Sequence, residues 1–382
     1  MWAGFLAYLG VLWKAPGLGR RVVWGLILVL VAGFAIAPVL LSHDAYSYVD
    51  YARLGVRHGL DPYVHPPQAA PGDPAYAEVT WTEATSAYGP LFTLLTYPLA
   101  WLPVGFAVAA LKAIGALSVL GIAALTARIA AWRGADPLRA AAFVALNPLV
   151  LVHVVGGAHN DALTMLFAML AITAILSSRE RAGGAALVAA IATKLSAGVL
   201  TPFALIATGR KVASRTATGR KVQPLESNRP VGGWEWTFRP VGRLVAGMLG
   251  VALAVGVAAH AAFGWGWLHG FGLAGENQSR TSHMSIPITV ARLTGLGPDG
   301  VRLAAALLFA ALVIYLLVWT ARGNDWIRAS AWSTYALLLA TAWLLPWYLL
   351  WPLPLAAISR DRTLQLLTLL LTAYQLGARI PL

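Results

Sequence analysis

The sequence predicts an all-α polytopic membrane protein, a single membrane domain of about ten transmembrane helices whose long first external loop carries short interfacial helices. Three observations predict it. Hydrophobic residues fill 59% of the 382 positions and charged residues only 11%, against roughly 25% charged in an ordinary soluble domain, and no water-soluble fold hides so much apolar surface. Apolar runs close to the roughly 20 residues that cross a hydrocarbon core recur between residues 22 and 376. The Lys and Arg residues behind the net charge of +13 fall between those runs instead of forming a basic domain, which is the pattern of membrane topology and excludes nucleic acid as a partner. The absence of Cys excludes disulfides, thiolate metal sites and cysteine nucleophiles. The 16 Trp and 12 Tyr suit two aromatic belts at the lipid interfaces.

Taken in order, residues 1–21 open with a short apolar run that precedes its basic residues Lys14, Arg20 and Arg21. That is the reverse of a signal peptide and predicts an interfacial or half-buried helix. Basic residues are retained on the cytoplasmic side, so a first span over 22–41 runs outward. The loop 42–90 then carries Arg53 and Arg57 against Asp44, Asp50, Asp61, Asp73, Glu78 and Glu83, the bias of an external segment, and its length marks it as functional. Residues 91–102 are too few to span and end at Leu102-Pro103, which predicts a helix lying in the outer interface. The segment 104–132 goes inward to Arg128, Arg133 and Arg139, 137–155 returns outward, and Gly156-Gly157-Ala158-His159-Asn160-Asp161 makes a second external turn. The run 162–178 goes back in, to Arg179 and Arg181.

Residues 182–207 look like one span, yet they lead into a loop, 208–243, with eight basic residues against two acidic, which belongs inside. The conflict resolves if the run is two short helices broken at Thr193-Lys194-Leu195-Ser196, with Lys194 at an outer turn. The basic loop repeats Ala-Thr-Gly-Arg-Lys-Val at Ala207 and Ala217 and Arg-Pro-Val-Gly at Arg229 and Arg239, and is read as an expanded segment without catalytic role. Residues 244–263 go out, 264–299 are external, 300–320 go in, and the last third is a hairpin with Pro346-Trp347-Tyr348 at its outer turn. Asn277-Gln278-Ser279 matches a glycosylation acceptor pattern and is read as chance.

Three external segments gather polar residues beside the membrane: Ser42-His43-Asp44-Ala45-Tyr46-Ser47-Tyr48, the turn His159-Asn160-Asp161, and the Lys194 turn. They are expected to line one cavity. A carboxylate at a helix mouth can act as general base, and a lysine can neutralise a phosphate leaving group where the dielectric is low.

Those segments, together with Gly59-Leu60-Asp61-Pro62-Tyr63, Tyr88-Gly89-Pro90-Leu91, Asn147-Pro148-Leu149 and Pro346-Trp347-Tyr348-Leu349-Leu350-Trp351-Pro352, appear in an order that resembles the type C (GT-C) membrane glycosyltransferases. They resemble more closely the actinobacterial polyprenol-phosphate-mannose-dependent α-1,6-mannosyltransferases. The resemblance implies a GT-C-like bundle in the cytoplasmic membrane with its site on the external face. It implies a polyprenyl-phosphate sugar as donor, a mannan or lipoglycan as acceptor, and no cofactor or obligatory metal. Asp44 would then deprotonate the acceptor hydroxyl, and inversion at a β-linked mannosyl phosphate would give an α linkage. A second carboxylic acid is needed in inverting hydrolases, whereas a phosphate leaves as a weakly basic anion and needs charge compensation, for which Lys194 and Arg280 are the candidates. Tyr46, Tyr88, His159, Asn160, Asp161 and Trp347 would bind substrate.

Plainer readings stand beside these. Asp44 and Asp161 can be helix-end carboxylates, Lys194 can snorkel, Arg280 can be one polar residue of a loop that also holds His269 and His283, and Tyr88 and Trp347 can be belt residues. Another polyprenyl-phosphate sugar is the alternative donor. A lipid-linked sugar transporter or flippase would also put ionisable residues at membrane depth, though commonly with inverted repeats, and a non-catalytic assembly subunit is a third possibility. The crowding of polar motifs in the first half of the chain, all facing outward, favours an enzyme working on one side.

Overall fold

Inside a bilayer every backbone N–H and C=O must find a partner within the chain, which leaves helices as the economical solution for apolar runs of this kind. The computed structural model describes residues 1–210, 238–276 and 280–378, and its regular elements are sixteen α-helices with short 3-10 and π turns and, among the described residues, no strand. Residues 211–237, most of the basic loop 208–243 with its duplications, lie outside the described residues, as does Asn277-Gln278-Ser279.

Helix α1 (Trp2–Lys14) buries Phe5, Tyr8 and Leu12 on one face, and the Tyr8 hydroxyl donates to the Phe143 carbonyl at 2.7 Å, so one face of the opening helix packs on the rest of the chain. Helix α2 (Arg20–Ile36) stops short of residue 41, because Pro38 disfavours helical geometry in the residue before it. The loop 42–90 holds a 15-residue helix, α3 (Asp44–His58), then 3-10 turns at Pro67–Ala69 and Tyr76–Glu78. The stretch 91–102, too short to span, is α4 (Pro90–Thr96) continued by a 3-10 turn, Tyr97–Trp101. Helix α5 (Val104–Trp132) has the limits expected of it.

The run 137–155 is not the single span expected. It is α6 (Pro137–Ala145), a break at Asn147-Pro148 and a π turn, Val150–Val155. The Asn147 side chain accepts from the Leu149 N–H at 3.0 Å, the local side-chain bond that competes with helix, and Pro148 supplies no N–H to continue it. Helix α7 (Asp161–Leu176) follows. The next run is broken where its charge distribution requires, into α8 (Glu180–Thr193), a 3-10 turn Leu195–Leu200 and α9 (Thr201–Arg210). The remainder is α10 (Phe238–Phe263), α11 (His269–Glu276), α12 (Ile286–Thr294), α13 (Pro298–Ala321), α14 (Trp326–Ala340), a 3-10 turn Pro346–Leu350, α15 (Pro352–Ile358) and α16 (Arg362–Gly377).

Three helices, α5, α10 and α13, are long and apolar enough to cross a membrane, with α7 and 195–210 as shorter apolar segments. The chain is a membrane protein. Burial divides the three: half of the most apolar stretch of α5 is buried, against 11% in α10 and 6% in α13. Helix α5 therefore belongs to the protein core, with α6, α7 and α15 around it, while α10 and α13 are left largely uncovered by the rest of the described chain. Helices α8 and α10 approach to backbone contact because a Cβ on Gly184 would overlap the Leu244 carbonyl and one on Gly247 the Arg181 carbonyl, the small-residue packing that substitutes for a hydrophobic drive between helices in lipid.

The loop that follows α3 is tied back to it. Asp73 accepts from Arg53 Nε at 2.6 Å and from the Ala75 N–H at 2.9 Å, and lies 2.8 Å from His58 Nε2, while Tyr51 donates to the Ala84 carbonyl at 2.7 Å. Burial works to raise the Asp73 pKa, but those hydrogen bonds outweigh it and hold the carboxyl below its ordinary value. Asp50 sits against the same group and goes the other way, pushed up to about 7 by burial first and by the Asp73 charge second, with His58 and Arg53 opposing. Folded Asp50 therefore keeps a proton that the unfolded chain releases near pH 4, so its contribution to stability falls as pH rises from about 4 to 7. Asp73 acts only below that window. Asp50→Asn should accordingly be more thermostable than wild type at pH 8 and equal to it at pH 4. An equal difference at both pH values would show that Asp50 ionises normally.

Candidate functional site

The site begins where α2 has ended and α3 starts. Asp44 is the first residue of α3, following His43, whose side chain makes no cap hydrogen bond. The Asp44 carboxylate points at the second polar turn, with Oδ2 3.5 Å from His159 Nδ1, and also receives hydrogen bonds from the side chains of Ser42 and Trp81. Burial pushes the Asp44 pKa up, Lys194 and the two hydrogen bonds oppose the rise, and Asp161 adds to it. The carboxylate is consequently a stronger base than an exposed Asp.

The turn that carries His159 is made by Ala158, whose φ of +56° is the left-handed conformation that turns the chain into α7. His159 is 1% exposed and stacks flat on the Trp347 indole, with centroids 3.6 Å apart and planes at 14°. Asn160 is also buried, and neither end of its amide has a partner among the described residues.

Asp161 opens α7 without capping it. Its wholly buried carboxylate accepts from Lys194 Nζ at 2.8 and 2.9 Å, one bond to each oxygen, and from Trp351 Nε1 at 2.7 Å. Lys194 ends α8 in an extended conformation, and its ammonium also sits over the rings of Tyr348 at 4.6 Å and Trp351 at 5.3 Å, which are stacked on each other. The segment 42–90 docks on this corner: the Gly89 N–H donates to the Thr193 carbonyl at 3.1 Å, and a Cβ at Gly89 would overlap the Ala192 carbonyl.

Beside Lys194 opens a cavity of about 250 Å³ with Tyr88, Trp267, Phe271, Tyr348 and Trp351 in its wall. Tyr88 meets Tyr48 edge-on at 4.7 Å. The three polar segments do converge, but among the described residues Asp44, His159, Asn160, Asp161 and Trp347 are not part of that wall. They form a polar cluster joined to it through the Asp161–Lys194 pair. Arg280 stacks over Trp81 at 5.1 Å and so reaches Asp44 through the indole. Tyr46 packs on His43 at 5.4 Å. Among the described residues no group of three His, Asp or Glu side chains is placed to hold a metal ion.

Sequence reasoning gave no site role to Trp81, Trp267, Tyr348 or Trp351, although the last two lie in the Pro346–Pro352 motif it noted. A signal existed for Trp351, since an indole N–H between two prolines in an apolar run needs a buried acceptor; Trp81 and Trp267 had none.

The family described as "Alpha-(1->6)-mannopyranosyltransferase, N-terminal domain" matches residues 1–210, more than half of the chain and the part that holds Asp44, His159, Asp161 and Lys194. Alpha-(1->6)-mannopyranosyltransferase A of Mycobacterium tuberculosis is 30% identical over 375 residues, covering 89% of this chain and 67% of the relative. The protein of the same name from Corynebacterium glutamicum is 27% identical over 259 residues, covering 66% of this chain and 50% of the relative. The chain thus spans two thirds of the one and half of the other. No solved structure matches.

Proposed function

The chain belongs to the alpha-(1->6)-mannopyranosyltransferase family, and from that premise we propose that it transfers mannose from a polyprenyl-phosphate donor to a mannan or lipoglycan acceptor, forming α-1,6 linkages at the outer face of the cytoplasmic membrane. The fold we assign is a GT-C-like bundle of about ten membrane helices, the shorter ones completing the set begun by the long three.

In this reading the acceptor hydroxyl gives its proton to Asp44 as its oxygen attacks the anomeric carbon. The bond from that carbon to the phosphate oxygen breaks, and the polyprenyl phosphate leaves with the electron pair on the face opposite to attack. An ammonium has three donors; Lys194 spends two on Asp161 and turns the third toward the phosphate, with Arg280 supplying further positive charge. Trp351 and Asp161 keep the lysine in place. Tyr88, Trp267 and Tyr348 offer the aromatic faces on which a sugar ring stacks, and His159, Asn160 and Trp347 hold the acceptor side. The observation that carries the reading is the placing of one base-like carboxylate, Asp44, within a charge-coupled cluster that ends at a cation on a cavity wall.

The test is transfer of radiolabelled mannose from purified polyprenyl phosphate mannose to a short α-1,6-mannoside by the purified chain in EDTA. Transfer at the rate seen without chelator is expected. Loss restored by a divalent ion would overturn the metal-free mechanism, and failure across a panel of polyprenyl-linked sugars would overturn the transferase reading.

A further inference from the structure

Lys112 is 3% exposed in the interior of α5, about 12 Å along the helix from its start at Val104, where a lysine is costly and calls for a reason. Among the described residues it has no carboxylate partner. Its ammonium donates instead to two backbone carbonyls, Ala37 and, at 3.1 Å, Pro38. These belong to the point where α2 stops, and the end of a helix leaves carbonyls without an intrahelical donor and carries partial negative charge. Lys112 therefore caps α2 from another helix.

The five residues between those carbonyls and α3 are held at further points. The Leu40 N–H donates to the Gly156 carbonyl at 3.2 Å, and the Ser42 N–H folds back on the Leu40 carbonyl at 2.8 Å. Val39 packs against a cluster that includes Ala45, Tyr48, Leu111 and Ala158, and Leu41 takes a φ of +61°, a conformation costly for a side chain of its size. The chain reaches Asp44 immediately afterwards, and Gly156 lies three residues before His159. One short strap thus ties the base to the turn that faces it, and its anchor in the membrane is Lys112.

We propose that Lys112 is a positioning residue for Asp44: by holding the Ala37 and Pro38 carbonyls it fixes the strap and, with it, the carboxylate against His159. The inference rests on the transferase reading for its kinetic consequence and on the geometry of the strap for the rest. Lys112→Met, which keeps length and suits an apolar helix, should fold with a melting temperature at or above wild type because a buried cation without a counter-ion is gone. Amide hydrogen exchange over residues 38–43 should be roughly tenfold faster than in wild type, with α8 unchanged. Displacing the base should lower kcat by about 10- to 100-fold at unchanged KM for polyprenyl phosphate mannose, and Lys112→Arg, which can donate to both carbonyls, should restore rate and protection. Unchanged exchange over 38–43 in folded Lys112→Met, or faster exchange with an unchanged kcat, would overturn the proposal. Should Lys112→Met fail to fold, Lys112→Gln is read by the same two measurements. If wild type moves no sugar at all, the transferase reading fails, and the exchange result alone decides whether Lys112 holds the strap.

Discussion

Asp44→Asn should retain fold and donor binding while slowing mannosyl transfer by about 10²- to 10⁴-fold, the range lost when a general base is removed. The substitution conserves size and leaves an amide that can still accept from Trp81 and Ser42, so a change in rate reports the missing basicity. A merely structural role at the first residue of α3 would cost at most about 1 kcal/mol of helix stabilisation and would leave turnover intact. The pH profile separates the two further. Burial raises the Asp44 pKa and Lys194 opposes the rise, so the acid limb of kcat should lie above the ordinary Asp value of about 3.9. An acid limb at or below the ordinary Asp value would show that Asp44 is not the titrating base.

The second large effect is expected at Asp161. Asp161→Leu strips Lys194 of its counter-charge and Trp351 of its acceptor at a site where the carboxylate is wholly buried and the lysine 19% exposed. Breaking one side of a buried pair typically costs 3–5 kcal/mol; the partial exposure of Lys194 lowers the expectation to about 2–4 kcal/mol. Adding Lys194→Met to Asp161→Leu should recover most of that stability, since no charge is then stranded, and should recover no transfer, since the phosphate has lost its cation. Denaturation and transfer measured on both singles and the double complete the cycle. A stable Asp161→Leu protein would mean that the pair is incidental. Transfer by the double variant would remove Lys194 from the mechanism.

The membrane class, the limits of α5 and the break at Lys194 were all legible in the amino-acid order. Each follows from a one-dimensional quantity: the length of an apolar run, the position of a proline, or the sign of charge on either side of a span. The break at Lys194 is the clearest case, because a 36-residue stretch with eight basic residues led to the expectation of a break before it, and the structure bends the chain at that lysine. The Asn147-Pro148 break was written in the sequence just as plainly, but hydrophobicity averaged over a window hides a two-residue stop.

What each polar residue touches belongs to the tertiary structure alone. Asp161 meets a lysine 33 positions away and an indole 190 positions away, Asn160 is buried beside both turns, and Lys112 closes a helix 74 residues before it. Sequence order supplies the residue types and the apolar runs, because hydrophobic transfer acts on short segments. Partner choice among buried polar groups is decided by packing between helices distant in the chain, where a carboxylate without a donor would be too costly and only the assembled bundle determines which donor is near.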